Sequence, residues 1–216
     1  MHIPDGFLSL PILGVTWLIS IGGIGFCINK TKEIFEDKMV PLMGVMSAFI
    51  FAAQMINFPI IGGTSGHLLG GVLAAVLLGP FAAAIVIACV LLVQCFIFQD
   101  GGLSALGANI LNMTIISTIG GYFVYKFLSR LIRGTRGIII AAAVASWLSV
   151  VMAAGACALE LAFSKVSPLK IVLPVMVFIH ALIGMVEALV TCLIIEFIIK
   201  VRPDLVYKYV KVVKDA

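Results

Sequence analysis

The sequence predicts an all-α integral membrane protein with seven transmembrane helices, its amino terminus outside and folded back into the bundle, and its carboxyl end in the cytoplasm. Three observations lead there. The 216 residues are 62% hydrophobic and only 11% charged, with a mean hydropathy of +1.24, and so little polar surface cannot cover a water-soluble globule. Apolar runs recur along the chain, most of them near the ~20 residues that a helix needs to cross the hydrocarbon core. Lysine and arginine collect in particular loops, as they do on the cytoplasmic side of a bilayer.

Residues 1–8 precede the first run, and Pro4-Asp5-Gly6 is a turn signal that bends them away from a helix starting near Ser9 or Leu10. The runs then lie at 9–28, 40–57, 66–79, 80–98, 108–128, 138–163 and 171–199, followed by a tail at 200–216. Lys30, Lys32 and Lys38 mark the first loop as cytoplasmic. Lys126, Arg130, Arg133 and Arg136 mark a second inner loop, and Lys200, Arg202, Lys208, Lys211 and Lys214 mark the tail; only Lys165 and Lys170 fall elsewhere. The chain must therefore travel from inside at Lys38 to outside at Asp100, which takes one or three crossings. Since 40–57 supplies one, 66–98 must supply two, broken at Gly79-Pro80. Residues 1–216 are read as a single transmembrane domain.

No basic stretch and no small-residue cleavage site precede the first run, so the amino terminus is expected to be retained. That matters because of His2. The Met1 amine, the Met1-His2 amide nitrogen and Nδ1 of His2 can close five- and six-membered chelate rings on one ion, roughly in a plane. Planar nitrogen suits Ni(II) or Cu(II), whereas zinc prefers a tetrahedron and calcium or magnesium want oxygen. Histidine at position two also arises by chance, and the remaining polar residues give it weight.

In a membrane protein the informative residues are those that are costly to place there. The loop after the second run reads Asn57-Phe58-Pro59-Ile60-Ile61-Gly62-Gly63-Thr64-Ser65-Gly66-His67, and His67 is the candidate fourth nitrogen. Asp5, Gln54, Asn57, Thr64, Ser65, Gln94, Gln99, Asp100, Asn109 and Asn112 come from outer loops or outer halves of helices, and form a candidate supporting shell. His180 and Glu187 lie seven residues apart on one face of the last helix, about 10.5 Å along its axis. They are candidates for an ion path or a conformational role. Glu160, near an outer helix end, is expected to reach the headgroups. Ala48 and Ala52 form a small-residue spacing on the second helix suited to a partner subunit. Cys27, Cys89, Cys95, Cys157 and Cys192 all fall in apolar runs and read as small buried residues. No G-x-x-x-x-G-K-[ST] occurs, so the chain is not its own ATPase, and no H-E-x-x-H provides an intramembrane zinc hydrolase.

MHIPDGFL at the start, QMINFPIIGGTSGHLLGG in the middle, and DGGLSALGANILNM and HALIGMVEALVT further on resemble the cobalt and nickel substrate-binding (S) components of energy-coupling-factor transporters, the CbiM and NikM family. The resemblance covers nearly the whole chain. It implies a seven-helix binding subunit of a prokaryotic cytoplasmic membrane in which Met1 and His2 enter the bundle and meet His67. It further implies a transmembrane coupling subunit, two ABC ATPase subunits and often a small accessory membrane protein, with the metal as transported ligand and no cofactor. Ala48 and Ala52 then become contacts for the coupling subunit. The expected function is capture and import of Ni(II); Co(II) destined for cobalamin synthesis is the alternative, and an intramembrane metalloenzyme using Glu187, His180 and a metal is the distant one.

Overall fold

A computed structural model describes residues 1–37, 39–60, 64–132 and 134–207. Lys38, Ile61, Gly62, Gly63, Arg133, Lys208, Lys211 and Lys214, all used in the sequence reading, lie outside the described residues. Among those described, seven helices make up the fold: α1 Leu10–Lys32, α2 Met39–Met55, α3 Gly71–Leu78, α4 Pro80–Phe98, α5 from Leu106 to Leu131, α6 Gly134–Phe163 and α7 Leu169–Val201. Four of them, α1, α4, α6 and α7, are long and apolar enough to cross a membrane. One element departs from the all-helical expectation. A two-stranded antiparallel hairpin, β1 Phe58–Ile60 and β2 Thr64–Gly66, pairs Pro59 with Ser65.

Local chemistry sets several boundaries. α1 begins with Pro11 in its first turn, where the missing N–H costs nothing, and ends with Lys30 and Lys32 against its negative pole. α4 likewise begins at Pro80, directly after Gly79. Within α5 the chain is α-helical over Leu106–Ile110, π-helical over Leu111–Gly120 and α-helical again over Gly121–Leu131. The Ser117 and Thr118 hydroxyls donate to the Met113 and Thr114 carbonyls at 2.5 and 2.7 Å. Such back-bonding competes with the helical ladder and favours its widening.

The segment expected to be helical over 66–79 is helical only over Gly71–Leu78. Eight residues rise about 12 Å, well short of a hydrocarbon core of about 30 Å. Gly70 at φ +75°, a left-handed conformation, stops the helix from extending backwards. The missing length is supplied by extended chain. Glu187, midway along α7, accepts the Leu69 and Gly70 N–H groups at 2.5 and 3.0 Å. Tyr207, just beyond α7, donates its N–H to the Val76 carbonyl at 2.9 Å. The crossing is thus extended in one half of the bundle and helical in the other. Irregular backbone at this depth persists only when protein surrounds it, and every residue of α3 is buried.

α6 and α7 form the broadest helix pair. Ala141, Ala142, Ala145, Ala153, Ala154 and Ala158 are buried, and small residues let helices approach closely in lipid. Ser146 Oγ donates to Thr191 Oγ1 at 3.1 Å, and Trp147 Nε1 to the Ala181 carbonyl at 3.0 Å. Ala48 and Ala52 are exposed on α2. Two expectations are corrected. Cys89 is exposed on the outward face of α4 and Cys192 is half-buried, so only Cys27, Cys95 and Cys157 are core residues. Glu160 is buried rather than at the headgroups, because Asn112 Nδ2 donates to its carboxylate at 2.6 Å within the bundle.

Candidate metal centre

The first three residues are held inside the bundle through the main chain of Ile3. Asn109 accepts the Ile3 N–H at 2.8 Å through Oδ1 and donates to the Ile3 carbonyl at 3.1 Å through Nδ2. The Gly102 N–H donates to that same carbonyl at 2.9 Å. Asp5 fastens the turn from outside: its carboxylate accepts the Leu103 and Ser104 N–H groups at 3.1 and 2.7 Å, and the Ser104 hydroxyl. These donors hold the Asp5 carboxyl below its ordinary range, the Ser104 hydroxyl first among them. Met1, His2 and Ile3 are consequently buried.

Inside, three elements meet. The Met1 amine lies 2.8 Å from His67 Nε2 and also bonds the Ser65 carbonyl. A 2.8 Å separation is that of a hydrogen bond, and also that of neighbouring corners of a square whose metal–nitrogen bonds are about 2.0 Å. Ser65, placed on β2 by the hairpin, sets its hydroxyl oxygen 3.2 Å from the Met1 amine, 3.2 Å from the His2 amide nitrogen and 3.4 Å from His2 Nδ1. The hairpin missed in the sequence is what brings this hydroxyl over all three nitrogens of the chain start.

Hydrogen bonding selects the tautomers. His2 Nε2 donates to Gln94 Oε1 at 3.0 Å, and His67 Nδ1 donates to the Leu68 carbonyl at 2.8 Å. Both acceptors take the ring N–H, so His2 Nδ1, beside the Ser65 hydroxyl, and His67 Nε2, beside the Met1 amine, are the nitrogens that present lone pairs, as in metal-ligating imidazoles. The two rings stand 4.7 Å apart between centroids.

Burial tunes the same groups toward neutrality. It lowers the Met1 amine to about 5, against the opposing pull of Cys157 and Asp100. It lowers His2 to about 3, with the neighbouring amine adding to the effect. The amine and imidazole are therefore unprotonated at neutral pH. Asp100 is raised above its ordinary value by burial. Its Oδ1 stands 3.3 Å from His2 Nδ1, which puts a carboxylate oxygen beside a ring nitrogen of the candidate centre. Asn57 Nδ2 donates to the other Asp100 oxygen at 3.0 Å.

Of the candidate supporting residues, Ser65, Gln94 and Asp100 face the chain-start nitrogens, Asn57 steadies Asp100, and Asn109 and Asp5 seat the segment. Four do something else. Gln54 Nε2 donates to the Leu69 carbonyl at 2.9 Å, Thr64 Oγ1 to Met176 Sδ at 3.3 Å and Asn112 to Glu160, while Gln99 is an exposed cap that ends α4. His180 is buried, bonds the Met176 carbonyl through Nδ1 at 2.8 Å and lies within electrostatic reach of the Met1 amine and His67. Gly102 was not singled out in the sequence. A Cβ there would stand 2.2 Å from Asp5 N and 2.6 Å from Pro4 C, so only glycine lets the chain start lie against this loop. The Gly101-Gly102 pair was its only sequence signal.

A family profile described as the cobalt uptake substrate-specific transmembrane region, CbiM, matches residues 2–205. The chain belongs to the CbiM family. CbiM-like relatives include one from Archaeoglobus fulgidus, named as a fused nickel transport protein NikMN, 43% identical over 95% of this chain and 68% of that one. Another, from Methanocaldococcus jannaschii, is named as a cobalt transport protein CbiM, 31% identical over 96% of this chain and 91% of its own length. The crystal structure of a truncated transition metal transporter superposes with a TM-score of 0.86 at 34% identity, covering 93% of this chain and 99% of that one. This CbiM-family chain is a multi-pass membrane protein and a substrate-specific component for transition-metal uptake, not an enzyme.

Proposed function

We propose that the chain captures Ni(II), with Co(II) as the second substrate, on the outer side of a prokaryotic cytoplasmic membrane. Its four ligands are the Met1 amine, the His2 amide nitrogen, His2 Nδ1 and His67 Nε2. The observation that carries this reading is the tautomer pair: Gln94 and the Leu68 carbonyl take the ring N–H groups, so that His2 Nδ1 and His67 Nε2 are the lone-pair nitrogens near the Met1 amine. A plane of nitrogens favours nickel over cobalt, and nickel also exceeds cobalt in the general affinity order. Ni(II) with one deprotonated amide keeps a single positive charge, which the Asp100 carboxylate offsets. Import requires the coupling subunit and two ABC ATPase subunits, with a small accessory membrane protein in some assemblies. The exposed Ala48 and Ala52 of α2 are the proposed contact for the coupling subunit. His180, buried near the centre, is proposed to lie on the path of the ion inward.

Titration of the purified protein with Ni(II) and Co(II) across pH tests the ligand set. Because the folded protein holds the amine near 5 and His2 near 3, neither carries a proton at pH 7, and only the amide proton must leave when metal binds. Nickel affinity is expected to fall about tenfold per pH unit between pH 7.5 and 5.5, one proton per ion. Below about 5 the amine also competes, and the slope steepens toward about a hundredfold per unit. Nickel should bind more tightly than cobalt throughout. A flat profile above pH 5.5 would remove the amide nitrogen from the ligand set, and tighter cobalt binding would reverse the choice of substrate.

A further inference from the structure

The only described segment that crosses the bundle as irregular backbone is the one that carries His67, and two polar side chains from other helices are spent on it. Glu187 of α7 uses both carboxylate oxygens, Oε2 for the Leu69 N–H at 2.5 Å and Oε1 for the Gly70 N–H at 3.0 Å. Gln54 of α2 donates to the Leu69 carbonyl at 2.9 Å. Both side chains are buried, Glu187 2% and Gln54 0% exposed. Neither touches the nitrogens of the candidate centre.

The connection to His67 runs through one peptide plane. The Leu69 N–H that Glu187 binds and the Leu68 carbonyl that His67 Nδ1 binds belong to one planar peptide group. A carboxylate on the N–H side polarises that group and strengthens its carbonyl as an acceptor. His67 is thereby fixed in the Nδ1–H tautomer, with Nε2 turned toward the Met1 amine. In many metal sites a carboxylate binds the ligating histidine directly and raises its basicity; here one rigid peptide stands between them. The next peptide, Leu69-Gly70, is held at its carbonyl by Gln54 and at its N–H by Glu187.

We propose that Glu187 is the positioning residue for His67, acting through the Leu68-Leu69 peptide, with Gln54 holding the peptide that follows. This rests on the reading of His67 as a metal ligand. It also explains the carboxylate in the middle of α7 without making it a ligand: it satisfies donors that lipid and α3 cannot, and ties α7 to the ligand loop.

The test measures Ni(II) affinity and the nickel absorption band in the intact chain for Glu187→Gln, Glu187→Leu, Gln54→Met, His67→Ala and the double variant Glu187→Leu/His67→Ala. Glu187→Gln keeps one acceptor but turns an amide N–H toward the second backbone donor. It should weaken nickel about tenfold, and Glu187→Leu about a hundredfold, the range typical of residues that orient a ligand. Gln54→Met should fall near Glu187→Gln. In the His67→Ala background, Glu187→Leu should change nickel affinity by less than about twofold, because effects exerted through one residue vanish with it. Equal weakening with and without His67 would show a general structural role and overturn the proposal, as would wild-type affinity in both Glu187 variants. If Glu187→Leu fails to fold, Glu187→Gln alone and combined with His67→Ala carries the same comparison. Wild-type affinity in His67→Ala itself would instead refute His67 as a ligand, a failure of the underlying reading that the single variant distinguishes.

Discussion

One residue added ahead of Met1 is expected to abolish tight nickel binding while leaving the helices intact. The added residue turns the Met1 amine into an amide, and the Met1 amine is the group that meets His67 Nε2, the Ser65 carbonyl and the Ser65 hydroxyl. There is also no room for it, since Met1 is 0% exposed. Structural zinc sites with four protein ligands are worth about 10 to 16 kcal/mol in apparent free energy, roughly 3 kcal/mol per ligand, and the same scale is applied here to nickel. Loss of the amine and displacement of the adjoining amide nitrogen therefore weaken nickel by at least about a thousandfold. The α6–α7 pair is held by bonds of its own, Ser146 to Thr191 and Trp147 to Ala181, which the added residue does not touch. Calorimetric titration of the extended and native proteins, with the circular dichroism of each, checks the result. Equal affinities would mean that the amine is not a ligand.

Gly102→Ala is expected to produce a comparable loss by a route that leaves all four nitrogens chemically intact. The new Cβ would fall 2.2 Å from Asp5 N and 2.6 Å from Pro4 C, well inside contact distance and against backbone that cannot rotate away. Residues 1–5 must lift off the loop, and the Gly102 and Asn109 bonds to Ile3 lengthen with them. At least one nitrogen leaves its place, so nickel weakens by about a hundredfold or more. The same displacement exposes the amine. Acylation of the Met1 amine, followed by mass spectrometry, should be slow in the native protein and fast in Gly102→Ala. Unchanged acylation together with unchanged affinity would show that the chain start is not seated by this loop.

Much of this was legible in the residues because polar groups are so scarce among them. His2 at the chain start and His67 after a glycine-rich turn stand out in a chain that is 62% hydrophobic, and the basic loops count the helices. The hairpin was not legible. Phe58-Pro59-Ile60 carries little strand signal, and three paired residues are fixed by the surrounding bundle rather than by propensity. The limits of α3 were hidden for a related reason: periodicity cannot distinguish a buried helix from buried extended chain in an apolar run. The backbone N–H groups of Leu69 and Gly70 stay unhelical because Glu187, 118 and 117 residues away, accepts them. Gln54, Asn112 and Glu187 were recognisable as polar residues in apolar helices, but their partners are long-range. Asn112, the partner of the Glu160 carboxylate, lies in the π-helical stretch of α5, which no spacing rule anticipates.

A planar set of four nitrogens on one nickel ion is tested by the absorption and magnetism of the nickel-loaded native chain. One ion per chain, a yellow colour and diamagnetism are the expected result, since a square of four strong nitrogen donors pairs the electrons of Ni(II). A paramagnetic, six-coordinate nickel ion would rule out the four-nitrogen plane and place the metal among carboxylates and water instead.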